Sequence, residues 1–302
     1  MAEVRAVVFD CDGVLTDNGS SWQNIHDYFG TENLETLERF LNGEITDDEF
    51  MADDIRLWTA VQPRIHRDDI MRCYSGISLM EGARDVVEEL NRRGIFVAIV
   101  SAGVDVFVGA IANMLRVDDW AANGFEWDDE GWLNGPAPTI VNSHDKGVMV
   151  EKLSRIKDID PSGIVSIGDS STDLSMMIPG SRFIGFNPAR KRARNAFEQA
   201  GTPLVDSKDL RDIWEHIFEG ESFPNSGEGN CCSSVSVQID HSQDAGLGLE
   251  SQHPLVVSLV LPSRAVDHRN TLVITDIVTV HMPSDKDVRY CRNYQSVLWF
   301  WR

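Results

Sequence analysis

The stretch VVFDCDG, at residues 7–13, is the part of the sequence most informative about the fold. Its first three residues are apolar and either β-branched or aromatic, which is typical of a strand buried on both faces of a sheet. Asp10 and Asp12 follow, and because they are two residues apart their side chains emerge on the same side of an extended chain. Gly13 lets the chain turn away without crowding the acids. The stretch therefore predicts a buried strand that ends in two carboxylates able to reach one site.

Similar apolar runs recur along the chain and alternate with amphipathic helical patterns. In residues 80–94, for example, Val86, Val87 and Leu90 lie on one side of a helical pattern, and Gly94 predicts its end. Such alternation is typical of a parallel sheet covered by helices on both faces. We therefore expect an α/β fold with a doubly wound, Rossmann-like parallel sheet. The predicted strands are residues 4–10, 95–101, 163–169 and 182–186.

One segment interrupts this alternation directly after the first strand. Residues 18–78 have mostly helical patterns and carry Trp22 and Trp58, so we expect a helical cap inserted into the α/β core. The core itself is predicted to comprise residues 1–17 and 79–222. Within it, turn-forming residues between 123 and 141 predict a β-hairpin.

The composition changes near residue 223. Residues 223–250 are rich in Gly, Ser and Asn and are predicted to form a linker. Residues 251–302 form a C-terminal extension of unknown structure, with strand-like runs at 255–261 and 271–280. A small β appendage, a disordered extension and a reading-frame artefact are all compatible with this sequence.

The bulk composition restricts the class of protein. The 302 residues are 42% hydrophobic and 25% charged, as in soluble globular proteins, and carry a net charge of -21. That charge argues against nucleic acid or an anionic membrane as a partner. No apolar run is long enough for a transmembrane helix, and the N-terminus is unlike a signal peptide, so we expect a cytoplasmic location. Five cysteines without metal-ligand spacing make a disulfide framework improbable.

Two further candidate site residues lie at a predicted strand end and at a predicted helix start. Ser101 ends the apolar run 95–101, where its hydroxyl could be a helix N-cap or could bind phosphate oxygens. Lys146 opens an amphipathic helix, a place where the helix dipole disfavours a cation, so something negative should lie nearby. The alternative for Lys146 is a surface ion pair with Asp145 or Glu151.

A last pair of acids follows the strand at 163–169. Asp169 ends that strand and Asp173 follows at the predicted opening of a helix. Acids four residues apart share a helix face and could build an oxygen-rich magnesium site. A helix N-cap with a neighbouring surface acid is the simpler alternative.

The order acid pair, Ser, Lys, Gly-Asp resembles the four motifs of the haloacid dehalogenase superfamily. The matching positions are Asp10 with Asp12, Ser101, Lys146, and residues 168–173. Within that superfamily the chain is most similar to the phosphoserine phosphatase-like branch with a helical cap. The resemblance covers about residues 4–217.

The resemblance implies a magnesium-dependent phosphatase acting on a small-molecule phosphate monoester. Asp10 would be the nucleophile that forms an aspartyl phosphate, and Asp12 the general acid and base, with a pKa raised by crowding beside Asp10. Mg²⁺ would be held by Asp10, the backbone carbonyl of Asp12, Asp169 and Asp173. Lys146 would offset the repulsion between nucleophile and phosphate.

The resemblance also implies which residues bind the substrate. Ser101, the N–H of Ala102, Lys146 and Thr172 would contact the phosphate, and Arg56 would bind the rest of the substrate or else pair with Asp53. The branch has a Glu soon after the first motif that helps hold the substrate's amino group, but Gly19 stands at the matching place here, and Thr172 stands where the branch usually has Asn. Phosphoserine, phosphoglycolate and small sugar phosphates therefore all stay open as substrates.

Three other functions are compatible with parts of the pattern. A phosphotransferase or phosphomutase would use the same aspartyl phosphate but pass the phosphoryl group to another metabolite. A non-catalytic binding protein could keep the fold, and a receiver-like domain also uses acids and a Lys, although it has no reason to carry a helical insert of this size. The oligomeric state is left open.

Overall fold

The computed structural model describes residues 3–224 and the backbone of two later strands. The chain divides into two compact units, Met1–Asn225 and Ser226–Arg302. The first unit contains all the residues that the sequence singles out for chemistry.

Six parallel strands form the main sheet of the first unit. The strands are β1 Ala6–Phe9, β2 Phe96–Val104, β3 Asp119–Asn123, β6 Ile164–Gly168, β7 Arg182–Phe186 and β8 Leu204–Val205. Their order in the sheet is β3-β2-β1-β6-β7-β8. The central strand β1 lies between β2 and β6, so the carboxyl ends of these three strands meet at one edge.

Alternation along β1 explains why the sheet is covered on both faces. Val7 and Phe9 pack into one hydrophobic cluster, while Ala6 and Val8 pack into a second cluster on the other face. All four residues are fully buried. A strand buried on both faces has no polar side to present, which is why its sequence is apolar without interruption. The predicted doubly wound α/β fold is confirmed.

Nine α-helices accompany the strands in the described residues. The helices are α1 Ser21–Phe29, α2 Leu34–Leu41, α3 Asp47–Val61, α4 Arg67–Arg72, α5 Ala83–Arg92, α6 Asp105–Leu115, α7 Gly147–Lys157, α8 Lys191–Ala200 and α9 Trp214–Ile217. Helices α5 and α6 contribute to the first cluster, and α7 and α8 to the second.

Four of these helices, α1 to α4, lie in residues 18–78, which we call the helical insert. Its buried side chains Ile25, Ile55 and Trp58 belong to the same hydrophobic cluster as Val7 and Phe9 of the sheet. The insert therefore packs on the core rather than around a centre of its own. Its bounds as a separate cap stay a prediction.

The β-hairpin expected between residues 123 and 141 is present. Strands β4 Phe125–Trp127 and β5 Leu133–Pro136 pair antiparallel. His66, just before α4, forms a β-bridge with Trp132, in the loop that joins these two strands. The hairpin thus contacts the helical insert.

The second unit contains an antiparallel pair, β9 Leu255–Val260 and β10 Ile277–Met282. Strand β9 lies within the strand-like run 255–261, and β10 overlaps the end of the run 271–280. Residues 225–250 of the predicted linker lie outside the described residues, as does the rest of the extension. Among the helices of the described residues, none has the length and apolar character required to cross a membrane.

Candidate active site

The acids of the first and fourth motifs come together because their strands are neighbours. Asp10 follows β1 and Asp169 follows β6, and these strands pair in register up to Phe9 and Ile167. Gly13 has a φ of 76°, and a Cβ there would lie 2.6 Å from Asp169 Oδ2. Glycine is therefore required both by the backbone and by the approach of the second acid. The carboxyl edge of the sheet carries an acidic site, as in other open α/β sheets.

Lys146 lies between two of these acids. Its Nζ donates to Asp10 Oδ1 at 3.0 Å and to Asp173 Oδ1 at 2.6 Å, and the residue is only 3% exposed. Burial alone would lower the pKa of Lys146, but the two carboxylates hold it above its ordinary value. The expected negative partner of the lysine at the start of α7 is confirmed, and the alternative of a surface ion pair is wrong.

Replacing this buried cation should destabilise the fold in a pH-dependent way. Lys146→Met leaves two buried carboxylates unneutralised, which costs roughly 3 kcal/mol of unfolding free energy at about pH 8. With the lysine, burial raises the pKa of Asp10 to about 7. Without the lysine the pKa of Asp10 rises further. Asp10 in the folded variant then stays protonated up to a higher pH than in the native chain, and over that added range the variant loses stability relative to the native chain. The loss should therefore grow as the pH rises above about 7.

Urea unfolding of the native chain and the variant at about pH 6 and about pH 8 measures this difference. Lys152→Met is the matched control, because Lys152 lies on the same helix but is exposed. A loss that is equal at both pH values, or equal in the control, would contradict the electrostatic role of Lys146.

Asp173 organises the loop that follows β6. Its Oδ2 accepts hydrogen bonds from the N–H groups of Asp169 and Ser170, at 3.1 and 2.8 Å, and from the Ser170 hydroxyl at 2.8 Å. The predicted α-helix at this point is wrong: Asp173–Met176 form a short 3-10 helix. The two acids meet because the loop folds around the Asp173 carboxylate, not because they share a helix face.

Three carboxylates of the site can hold one cation. One oxygen each of Asp10, Asp169 and Asp173 lies within 4.8 Å of the others. Burial is the main cause that raises the pKa values of Asp10 and Asp169, and the neighbouring carboxylates add to it. A hard divalent cation prefers such oxygen ligands and would relieve this repulsion, so the donor set fits Mg²⁺.

Asp12 stands apart from the other acids and faces the helical insert. Its Oδ2 accepts hydrogen bonds from the Ser21 N–H and hydroxyl, at 2.8 and 2.7 Å, and its Oδ1 accepts one from Asn18 Nδ2 at 2.9 Å. Burial raises the pKa of Asp12, while the hydrogen bonds from Ser21 and Asn18 oppose that rise. The expected rise is thus present, but its main cause is burial rather than crowding beside Asp10.

Ser101 is not at a helix start, contrary to one prediction. Strand β2 continues to Val104 and α6 begins at Asp105, so Ser101 lies within the strand. Its hydroxyl accepts from the Gly103 N–H at 3.1 Å, and the residue is 1% exposed. The carbonyl of the next residue, Ala102, accepts from Trp22 Nε1 of the helical insert at 2.9 Å. Ser101 is therefore not the N-cap of α6.

The two remaining predicted positions differ in their surroundings. Thr172 lies in the acid loop, where its hydroxyl hydrogen bonds with that of Ser170 at 2.7 Å. Arg56 is not brought into the cluster of acids: its side chain is 67% exposed and pairs with Asp53 three residues earlier on α3. A surface ion pair, the alternative for this residue, describes its contacts.

Several residues of the site were not predicted from the sequence. Ser21 and Asn18 contact Asp12, and Ser170 contacts Asp173. Ser175 Oγ accepts from the backbone N–H of Lys146 at 3.0 Å. The pair Ser20-Ser21 before a helical pattern does signal a helix start, but only the folded chain shows that Ser21 hydrogen bonds to Asp12.

Comparison with known proteins agrees with this geometry. The model of the haloacid dehalogenase-like hydrolases matches residues 7–177. A phosphoserine phosphatase of Archaeoglobus fulgidus is 30% identical over 187 residues, covering 61% of this chain and 53% of that protein. One of Methanocaldococcus jannaschii is 24% identical over 215 residues, covering 70% of this chain and 97% of that protein.

Solved structures share the fold. A phosphoserine phosphatase captured as a phospho-aspartyl intermediate analogue is 25% identical, with a TM-score of 0.58, and covers 72% of this chain and 100% of its own. A substrate-bound phosphoserine phosphatase complex, 23% identical, has a TM-score of 0.59 over the same shares. The chain therefore belongs to the haloacid dehalogenase-like hydrolases, and within them it is similar to the phosphoserine phosphatases.

Proposed function

We propose that the chain is a magnesium-dependent phosphatase that hydrolyses a small-molecule phosphate monoester through an aspartyl phosphate on Asp10. The observation that carries the proposal is the contact of Asp10 with Lys146 Nζ, at 3.0 Å, beside two further carboxylates that can share a cation. The hydrolase class itself follows from membership of the family. The names of the similar proteins make phosphoserine the first substrate to test.

In this proposal Asp10 is the nucleophile. One of its oxygens attacks phosphorus while the bond from phosphorus to the ester oxygen breaks, and the bonding electrons leave with that oxygen. Lys146 keeps one Asp10 oxygen oriented and supplies positive charge as the phosphoryl group approaches. Asp12 gives the leaving oxygen its proton, and then takes one from the water that cleaves the aspartyl phosphate.

Asp10 and Asp169, with the backbone carbonyl of Asp12, would hold Mg²⁺. The Asp173 carboxylate already accepts four hydrogen bonds, from Lys146, the Asp169 N–H and two groups of Ser170, so it would bind Mg²⁺ through a water or with one remaining lone pair. When bound, the ion would supply the charge that lets a dianionic substrate approach a cluster of carboxylates. The N–H of Ala102, the Ser101 hydroxyl and Thr172 would bind phosphate oxygens.

Binding of Mg²⁺ should be measurable without any substrate. An ion that binds only the folded chain should raise its Tm, by the equivalent of about 2.7 kcal/mol when present at about 100 times its Kd. Asp169→Asn should abolish the shift because it removes a ligand. Asp27→Asn, which changes an exposed acid of α1, should keep it. A shift that persists undiminished in Asp169→Asn would contradict this assignment of the cation site.

The activity is tested by phosphate release from a panel of monoesters, with and without Mg²⁺. Phosphoserine, phosphoglycolate, small sugar phosphates and p-nitrophenyl phosphate cover the open substrates. Turnover that requires Mg²⁺ supports the proposal. Release that depends on an added metabolite hydroxyl would instead identify a phosphotransferase, and no turnover with Mg²⁺ bound would contradict the proposal.

A further inference from the structure

The N-terminus of helix α1, in the helical insert, lies against the Asp12 carboxylate. The first residue of that helix, Ser21, donates to Asp12 Oδ2 twice, from its N–H at 2.8 Å and from its hydroxyl at 2.7 Å. Ser21 is fully buried, so water does not compete for these hydrogen bonds. A carboxylate at a helix N-terminus is also favoured by the helix dipole.

The Ser21 hydroxyl has a fixed direction. Its oxygen accepts a hydrogen bond from the Val104 N–H, at the end of β2, at 3.0 Å. Because this contact occupies a lone pair, the single hydroxyl hydrogen is left to point at Asp12. One side chain of the insert thereby joins the carboxyl end of β2 to the acid that follows β1.

Asp12 Oδ2 is also enclosed by its neighbours. A Cβ added to Gly103 would lie 2.7 Å from Ser21 Oγ and 2.9 Å from Asp12 Oδ2. There is no room for a side chain here, nor for a turn of the carboxylate towards Gly103. Two donors and the Gly103 backbone therefore lie against Oδ2.

The other oxygen of the carboxylate keeps a free position. Asp12 Oδ1 accepts only one of these hydrogen bonds, from Asn18 Nδ2 at 2.9 Å, and a carboxylate oxygen has two lone pairs. The Asn18 amide is itself oriented, because its oxygen accepts from the Thr16 hydroxyl at 2.6 Å and its nitrogen also donates to Asn24. The two oxygens of Asp12 are therefore unequal.

We propose that Ser21 is a positioning residue that holds Asp12 Oδ2 in place, so that Oδ1 carries the proton delivered to the leaving group. The inference rests on the proposed function and adds a residue of the insert to it. As the bond from phosphorus to the ester oxygen breaks, its electron pair goes to that oxygen, which takes the proton from Oδ1 while Asp10 becomes bonded to phosphorus. The helical insert thus orients the acid of the core.

The test compares two substrates whose leaving groups differ in their need for a proton. An alkyl monoester from the panel loses a strongly basic alkoxide, whereas p-nitrophenyl phosphate loses a phenolate that is stable without a proton. For a double-displacement enzyme, kcat/KM reports the steps up to formation of the aspartyl phosphate. Ser21→Ala should lower kcat/KM by about 10- to 100-fold on the alkyl ester, as a misplaced catalytic group does, and by less than about 3-fold on p-nitrophenyl phosphate.

Two further variants separate positioning from damage to the fold. Ser21→Cys fills a similar space but is a weak donor, so it should give the same split between the substrates. Ser20→Ala weakens the start of the same helix without removing a contact to Asp12, because the Ser20 hydroxyl accepts a hydrogen bond from the Gln23 N–H. This variant should change kcat/KM equally, or not at all, on the two substrates. Thermal unfolding checks that each variant is folded.

The outcomes distinguish a failure of the role of Ser21 from a failure of the proposed function. Equal losses on both substrates, or no loss on either, with an active native chain would overturn the positioning role of Ser21 alone. A native chain that turns over neither substrate would overturn the proposed function, and this inference with it.

Discussion

Asp10→Asn is expected to lower kcat on the best monoester by about 10⁴-fold or more, because it removes the atom that bonds to phosphorus. The amide is nearly the same size as the carboxylate, so the strand and its buried surroundings should persist. Lys146 keeps Asp173 as a charged partner at 2.6 Å, so the buried lysine is not left unpaired.

Phosphate release by the native chain and the variant, at equal concentration and saturating Mg²⁺, measures this loss. Asp17→Asn is the matched control, because Asp17 lies in the same segment but is half exposed and pairs with Lys208. The control should keep native activity. An Asp10→Asn protein within about 10-fold of native activity would rule out Asp10 as the nucleophile.

Asp12→Asn is expected to impair both halves of the reaction. The asparagine has no proton to give, so kcat/KM for an alkyl monoester should fall by about 10³-fold, within the range for a general acid. On p-nitrophenyl phosphate the fall in kcat/KM should be much smaller. Hydrolysis of the aspartyl phosphate, which needs Asp12 as a base, should become slow for every substrate.

Stopped-flow measurement of p-nitrophenolate release tests this prediction. A burst equal to the concentration of enzyme, followed by a slow steady rate, is expected for Asp12→Asn. Equal loss of kcat/KM on both substrates and no burst would show that Asp12 does not act as the proton donor. Because Ser21 positions the same carboxyl group, Ser21→Ala should show the same pattern with a smaller effect.

The sheet was predictable because its signal is local. A strand buried on both faces must be apolar throughout, and residues 7–9 meet that requirement without help from distant parts of the chain. The lysine at the start of α7 was informative for a similar reason: a cation at a helix N-terminus needs an anion, and Asp10 and Asp173 are that anion. The nature of the fold and the grouping of the acids follow from such rules.

The parts that failed depend on contacts between segments far apart in sequence. The end of β2 lies three residues beyond the prediction because the chain after Ser101 stays extended, and the Val104 N–H at that end bonds to Ser21 of the insert. The fold of the Asp173 loop depends on hydrogen bonds to its own backbone rather than on helix periodicity. The surface pair of Arg56 with Asp53 could not be told from a substrate contact without knowing which side of α3 faces the core.

The phosphoryl group of the proposed intermediate can be sought directly on Asp10. The enzyme is mixed with substrate and Mg²⁺, quenched in acid within one turnover, and its peptides are weighed by mass spectrometry; Asp12→Asn is used alongside because it should accumulate the intermediate. We expect the added mass of one phosphoryl group on the peptide containing Asp10, lost on treatment with hydroxylamine and absent from Asp10→Asn. Phosphate release at the native rate with no phosphoryl group on that peptide in either protein would contradict this expectation.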